Sequence, residues 1–277
     1  MDALPESNDW QEINYPGLGI QIRARLNVES EELENNIRLN CQKGLPQVWP
    51  HAVQETPVCI VAGGPSLLDT LDEIKEEQKN GAKVIALANT AKLLIKNRIR
   101  PSAHVFLDAR FGNRSFIVPE LDCTYFVASQ CDPYIVDQLE GKRVYLWHAM
   151  NSQKEREIIE EFYEQWVPIQ GGNTIALRAI RLFQVLGYKT FHLFGMDSCN
   201  KDGEHHAYEQ PAADDMDTKI IALNGRSFTV TAWQIQQAME FMQMTKTLWQ
   251  NIDIQAHGDG LIQHMIKEGS KNGSNSV

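Results

Sequence analysis

From Pro57 onward the chain keeps a rhythm: short continuous apolar runs recur, each followed by a polar or glycine-rich turn and then a helical pattern. The runs lie at 58–62, 84–88, 103–107, 125–128, 144–147, 190–194 and 252–255. A strand with one wet face alternates apolar and polar residues, whereas a strand covered on both faces is apolar throughout. Continuous runs separated by helices therefore predict a Rossmann-like α/β fold, a doubly wound and mostly parallel sheet. Helical spacing is expected over 67–80, closed by Gly81, and over 91–97, ahead of Pro101. A third helix over 172–186 carries Ile175, Ala179, Leu182, Phe183 and Leu186 on one side and stops at Gly187.

Two stretches depart from the rhythm. Residues 1–56 read as an N-terminal extension with one helix over 28–42, where Leu33 and Ile37 repeat at helical spacing among acids. The segment 198–230 interrupts the core as an inserted lid. It holds a polar loop with His205 and His206, then a hairpin over 220–230 turned at Asn224-Gly225, a strong type I′ signal. A connection this long in a compact domain is usually functional. A helix over 232–249 then returns to the sheet, giving one domain over 57–268, and a Gly/Ser/Asn-rich flexible tail is expected at 269–277.

Composition bounds what such a fold can do. The 277 residues are 43% hydrophobic and 22% charged, the balance of a globular protein rather than a collagen or a disordered tail. With 26 Lys plus Arg against 36 Asp plus Glu, the net charge of −10 offers no global attraction to nucleic acid or an anionic membrane. The five cysteines (Cys41, Cys59, Cys123, Cys131, Cys199) are odd in number and lack a CxxC pair, as expected of reduced thiols rather than a disulfide framework or zinc site. No apolar run approaches the roughly 18 residues of a membrane span. A cytoplasmic protein with neither a nucleic-acid partner nor a membrane span is the expectation.

In open α/β sheets ligands bind beyond the carboxyl ends of the strands, so the residues after each run matter most. After the first run come Gly63, Gly64, Pro65 and Ser66: glycines that let a ligand approach the backbone, a proline suited to a first helical turn, and a hydroxyl beside unpaired amides. Such a helix start favours phosphate; a tight structural turn would use the same residues. Gly171, Gly172 and Asn173 form a second glycine-rich helix start, with N-capping as its plainer reading. Neither GxxxxGK[ST] nor GxGxxG is present, and the second run ends in Asn89 where a ribose-binding acid would stand, so a P-loop and an NAD site are disfavoured.

Asp108 and Asp197 follow strands and are candidate ligands for Mg²⁺; capping a turn is the alternative for each. Arg110 and Arg114 are placed to grip an anion or to sit in solvent as ordinary charges. His148, His205 and His206 titrate near neutrality and are candidates for proton transfer.

The ordered set of segments 60–67 (IVAGGPSL), 88–90 (ANT), 100–108 (RPSAHVFLD), 171–174 (GGNT), 186–187 (LG) and 194–197 (FGMD) resembles the 6-hydroxymethylpterin diphosphokinase MptE-like family. The domain of that family also occurs in bacterial flagellin-modifying motility accessory factors. The turn 64–66 is also similar to the Gly-Pro-Ser element of bacterial sialyltransferases that use a CMP-linked donor. The resemblance covers roughly 57–197 and implies a Rossmann-like fold with a nucleotide or nucleotide-sugar site at Gly63, Gly64, Pro65, Ser66 and Asn89. Asp108 and Asp197 become candidates for metal or substrate binding.

The expected function is a nucleotide-dependent transferase. One form transfers diphosphate from ATP to a small hydroxymethyl acceptor with Mg²⁺ on Asp108 and Asp197. Another is a glycosyltransferase taking a nucleotide-sugar donor and a small-molecule or glycan acceptor, with His148, His205 or His206 deprotonating the acceptor. A third is a non-catalytic nucleotide or glycan binding module. No bound organic cofactor is expected.

Overall fold

In a computed structural model of the chain, residues 10–15, 20–25, 28–209 and 217–273 are described, with side chains over 28–209 and 217–268. A hairpin of β1 (Trp10–Tyr15) and β2 (Ile20–Arg25) precedes α1 (Ser30–Gln42). The core then runs β3 (Val58–Val61), α2 (Leu71–Lys79), β4 (Lys83–Leu87), α3 (Thr90–Lys96), β5 (Ala103–Phe106), β6 (Thr124–Ala128), α4 (Pro133–Asp137) and β7 (Arg143–Ala149). It continues through α5 (Gln153–Glu160), β8 (Pro168–Ile169), α6 (Ile175–Val185) and β9 (Thr190–Phe194). A hairpin of β10 (Thr218–Leu223) and β11 (Arg226–Thr231) leads to α7 (Ala232–Lys246), β12 (Asp253–Ala256) and α8 (Leu261–Gly273).

Eight strands form one sheet in the order β12-β9-β3-β4-β5-β6-β7-β8, and every neighbouring pair is parallel. The chain steps outward from β3 to β8, then crosses back along α6 to lay β9 on the other side of β3. The strand order therefore reverses between β3 and β9, where open α/β sheets present their crevice.

Burial explains the continuous apolar runs. Cys59 and Val61 of β3 pack with Ile74 of α2 and Ala91 and Leu94 of α3, while Val58 and Ile60 face Leu177, Ile180 and Phe183 of α6. Period-two alternation thus serves two cores instead of one core and water. The Asn224-Gly225 turn has φ of +46° and +80°, as a type I′ hairpin requires. Helix α2 is shorter than its pattern: Gly64 and Pro65 start a 3₁₀ segment, Pro65–Thr70, and regular α-helix follows only from Leu71.

The N-terminal region is less detached than its sequence suggests. The β1–β2 hairpin lacks apolar runs and carries no sequence signal of its own. Helix α1 joins the domain through Asn40, whose Nδ2 donates to the carbonyls of Ser129 (2.9 Å) and Cys131 (2.7 Å) at the end of β6. Leu33, Ile37 and Cys41 pack with Leu146, Ile158 and Ile159, and Val48 N–H donates to the Leu146 carbonyl at 3.0 Å. At the other end α8 runs to Gly273, past the Gly269 where a flexible tail is expected; 274–277 lie outside the described residues. No described helix is long and apolar enough to cross a membrane. All five cysteines are free and buried, and burial pushes the thiols of Cys41 and Cys59 up to about 12.

Candidate functional site

The strand-order reversal between β3 and β9 brings together the first glycine turn and the Gly195-Met196-Asp197 turn. Gly64 N–H donates to the Gly195 carbonyl at 2.7 Å. Asp197 takes two bonds from Ser66: its Oδ2 accepts from the backbone N–H at 2.7 Å and its Oδ1 from the hydroxyl at 2.6 Å. Asp197 is 3% exposed, and burial raises its carboxyl above the usual range against the opposing pull of those bonds. The glycines are set by these close approaches. A Cβ on Gly64 would lie 2.5 Å from the Gly195 carbonyl, and one on Gly260 would lie 2.5 Å from the Asp197 Cα. The Gly258–Gly260 loop closes over the turn, held by Gln263, whose Nε2 donates to the His257 carbonyl at 2.8 Å.

The loop after β9 folds onto the same turn. Ala207 N–H donates to the Gly63 carbonyl at 3.0 Å, and His206 Nδ1 lies 3.2 Å from that oxygen. A carbonyl only accepts, so Nδ1 carries the ring proton and Nε2 holds the lone pair. Burial lowers the His206 pKa, which favours the neutral ring with its lone pair on Nε2. The Tyr208 ring stacks on His206, and its hydroxyl stands where a Gly63 side chain would begin. His205 Nδ1 is buried with no hydrogen-bond partner among the described residues. Of the two loop histidines, His206 meets the first turn.

Along the carboxyl edge the next residues are more exposed. Asn89 leads into α3 without a side-chain capping bond, leaving its half-buried carboxamide available. Thr90 beside it is buried and accepts from Leu87 N–H at 2.9 Å while lying 3.2 Å from the Val61 carbonyl, tying the ends of β3 and β4. Asp108, after β5, is gripped by its neighbour: Arg110 Nε lies 2.9 Å and Nη2 2.5 Å from its Oδ2. Arg114 forms a two-pronged pair with Asp132 at 2.7 and 2.9 Å, its guanidinium lying against the rings of Phe111 and Tyr134.

The β7–β8 end is a separate environment. His148 follows four strands from β3, about 19 Å at a spacing near 4.8 Å, so it does not share the β3/β9 crevice. It is 1% exposed, 3.1 Å from Gln47 Oε1, and burial lowers its pKa to about 4. The second glycine turn is built by side chains the sequence did not single out. Arg178 of α6 donates through Nε to the Gly172 carbonyl and through Nη1 to the Ile169 carbonyl, both at 2.8 Å, and pairs with Asn151. Glu240 of α7 accepts from Asn173 N–H at 3.0 Å. An arginine in an apolar helical pattern and a lone glutamate among glutamines were the only available signals.

These placements bear on Mg²⁺. Asp108 and Asp197 stand at the ends of β5 and β9, three strand positions or about 14 Å apart, too far for carboxylates sharing one ion. Each already accepts several donors, and among the described residues no three His, Cys, Asp or Glu side chains are gathered for a metal.

A fold with its strand-order reversal at a Gly-Gly-Pro-Ser turn defines a Rossmann-like protein with its crevice between β3 and β9. The sequence model of the 6-hydroxymethylpterin diphosphokinase MptE-like family matches residues 31–203, and the chain belongs to that family. The match includes α1, in keeping with the packing of that helix into the domain. Among solved structures the chain is similar to the MAf glycosyltransferase from Magnetospirillum magneticum AMB-1, with a TM-score of 0.63 and 17% identity over 91% of this chain. The chain spans 43% of that protein's length. A mammalian sialyltransferase is similar at a TM-score of 0.39 and 11% identity, over 84% of this chain and 87% of that one. No curated protein matches the sequence.

Proposed function

We propose that this chain is a transferase that takes a nucleotide-activated donor at the β3/β9 crevice and passes the activated group to an acceptor hydroxyl. The observation that carries the reading is His206, neutral through burial and fixed as the Nδ1–H tautomer by the Gly63 carbonyl at the turn itself. For a nucleotide-sugar donor the acceptor oxygen attacks the anomeric carbon and its proton passes to His206 Nε2. The bond from that carbon to the phosphate oxygen breaks, and the nucleotide leaves with the bonding pair. Glycosyl transfer is favoured because Asp108 and Asp197 are committed to protein donors. The fold shared with a glycosyltransferase agrees with it.

Diphosphate transfer is the second reading, favoured by the family match itself. It uses the same proton acceptor, but the hydroxyl attacks phosphorus and the nucleoside monophosphate leaves. A thermal-shift panel of ATP, CMP, UDP-sugars and CMP-sugars, each with Mg²⁺ or with EDTA, separates the readings, since a bound ligand stabilises by mass action. Stabilisation by a nucleotide-sugar that persists in EDTA supports glycosyl transfer; stabilisation by ATP only with Mg²⁺ supports diphosphate transfer. No shift with any nucleotide sinks both. With the donor known, His206→Gln should lower kcat by about 10²–10⁴ with little change in donor affinity. Donor binding without turnover in the unaltered chain would indicate a binding module.

A further inference from the structure

His104 of β5 is fully buried, with the Phe106 ring at 4.2 Å and the Tyr125 ring at 6.0 Å between centroids, and no step of the proposed reaction uses it. Its Nε2 lies 2.7 Å from the Ala88 carbonyl. A carbonyl only accepts, so Nε2 carries the ring proton and Nδ1 keeps a bare lone pair, buried and without a hydrogen-bond partner among the described residues. An unpartnered buried nitrogen costs stability that an apolar side chain in the same place would not lose. What offsets that cost is the Nε2–H donor and the residue it holds.

Ala88 has φ +45°, in the left-handed region that an alanine rarely adopts. The peptide groups on both sides of it are fixed by β5: its N–H donates to the Val105 carbonyl at 3.0 Å, and its carbonyl accepts from His104. This bend places the next two residues at the end of β4, beside β3. Thr90 Oγ1 lies 3.2 Å from the carbonyl of Val61, two residues before Gly63. Asn89 occupies the N-cap of α3, where asparagine ordinarily bonds a helix amide, yet it makes no capping bond and stays half-buried. Strained backbone that its surroundings hold in place is concentrated at ligand sites, where it fixes the direction of a functional group.

We infer that His104 is a positioning residue: resting on the transferase reading, in which a nucleotide-activated donor sits at the first glycine turn, its Nε2–H locks Ala88 in the left-handed conformation and so aims the Asn89 carboxamide at the donor's nucleotide. A carboxamide offers both a donor and an acceptor, the pair that a nucleobase edge or a ribose hydroxyl can use. His104 itself touches no substrate and acts through Ala88 and Asn89.

The test uses the full chain, with CMP, UDP and ATP titrated by calorimetry and the Asn89 side-chain amide followed by ¹H–¹⁵N NMR without ligand. His104→Leu should shift the Asn89 resonances and weaken the nucleotide that the wild type binds about 10-fold, the loss of roughly one hydrogen bond. His104→Gln, whose amide nitrogen has the reach of Nε2, should preserve both readouts. Ala88→Gly added to His104→Leu should restore both, because glycine takes a positive φ without a clamp. In an Asn89→Ala background, His104→Leu should cause no further loss of affinity. His104→Asn, with its amide one bond shorter, takes the place of His104→Leu should that variant not fold. Unmoved Asn89 resonances, intact nucleotide affinity in His104→Leu, no restoration by Ala88→Gly or an additive loss in the Asn89→Ala background would leave His104 a core residue only and overturn the inference alone. A wild type that binds none of the three nucleotides overturns the donor reading and with it the role of Asn89.

Discussion

The molecule contains two glycine-rich helix starts, one at 63–66 beside Asp197 and one at 171–173 beside Glu240. In each, a carboxylate raised above its usual pKa by burial accepts a backbone N–H that would otherwise be open to an anionic ligand, Asp197 from Ser66 and Glu240 from Asn173. The surroundings differ. The first turn is pressed between backbones, those of Gly195 and the 258–260 loop. The second is shaped by the ends of side chains, Arg178, Leu177, Met244 and Glu240. The same sequence signal therefore has two causes: at Gly64 of the first turn a side chain meets immovable backbone, at Gly172 of the second it meets groups able to rotate away.

Glycine substitution tests this difference most strongly. Gly195 has φ +60° and a Cβ there would collide with the Ala62 carbonyl, so Gly195→Ala should cost about 4 kcal/mol or more in denaturant unfolding. Gly172 has φ +80° but its nearest groups are side-chain ends, so Gly172→Ala should cost only about 1–2 kcal/mol. Equal losses would end the comparison.

Acid comes next. The buried His104 and His148 have pKa values lowered to about 4, so each is a base that the unfolded chain protonates first. Their contribution is complete above pH 6.5 and is lost as pH falls toward 4, about 3 kcal/mol for each. Stability measured from pH 7 to pH 4 should fall steeply, and His148→Gln should remove its share of the slope. Asp197 and Glu240 act with the opposite sign: their raised folded pKa values remove stability as pH rises through the window above the unfolded values.

Smaller effects separate the two carboxylates. Asp197→Ala strands the buried Ser66 N–H and hydroxyl and should cost about 2–3 kcal/mol, whereas Glu240→Ala returns the exposed Asn173 N–H to water and should cost about 1 kcal/mol. The difference between the two free energies of unfolding, measured at one pH, sharpens the contrast.

The apolar runs, the turn at Asn224-Gly225 and the helices after Gly63 and Gly171 were legible because they rest on local rules of burial period and left-handed backbone. The 64–66 turn was a site candidate on its glycines and helix start, and Asn89 on the family resemblance alone. Tyr208 was not, since it meets Gly63 far off in sequence, and Gln263 and Arg178 were not, since their bonds span loop turns whose shape only the folded chain fixes. Asp108 and Asp197 looked alike as carboxylates following strands, yet one pairs with the adjacent Arg110 and the other caps Ser66 from 131 residues away.

What the sequence determined by itself was a parallel α/β sheet with polar carboxyl ends, because strand burial and turn chemistry are written in short windows. Which of those ends share a crevice was decided by the tertiary structure alone. Strand order depends on the crossover through α6, a choice made by packing across the whole sheet. That crossover puts Asp197 beside Ser66 and His206 beside Gly63, and leaves His148 four strands away.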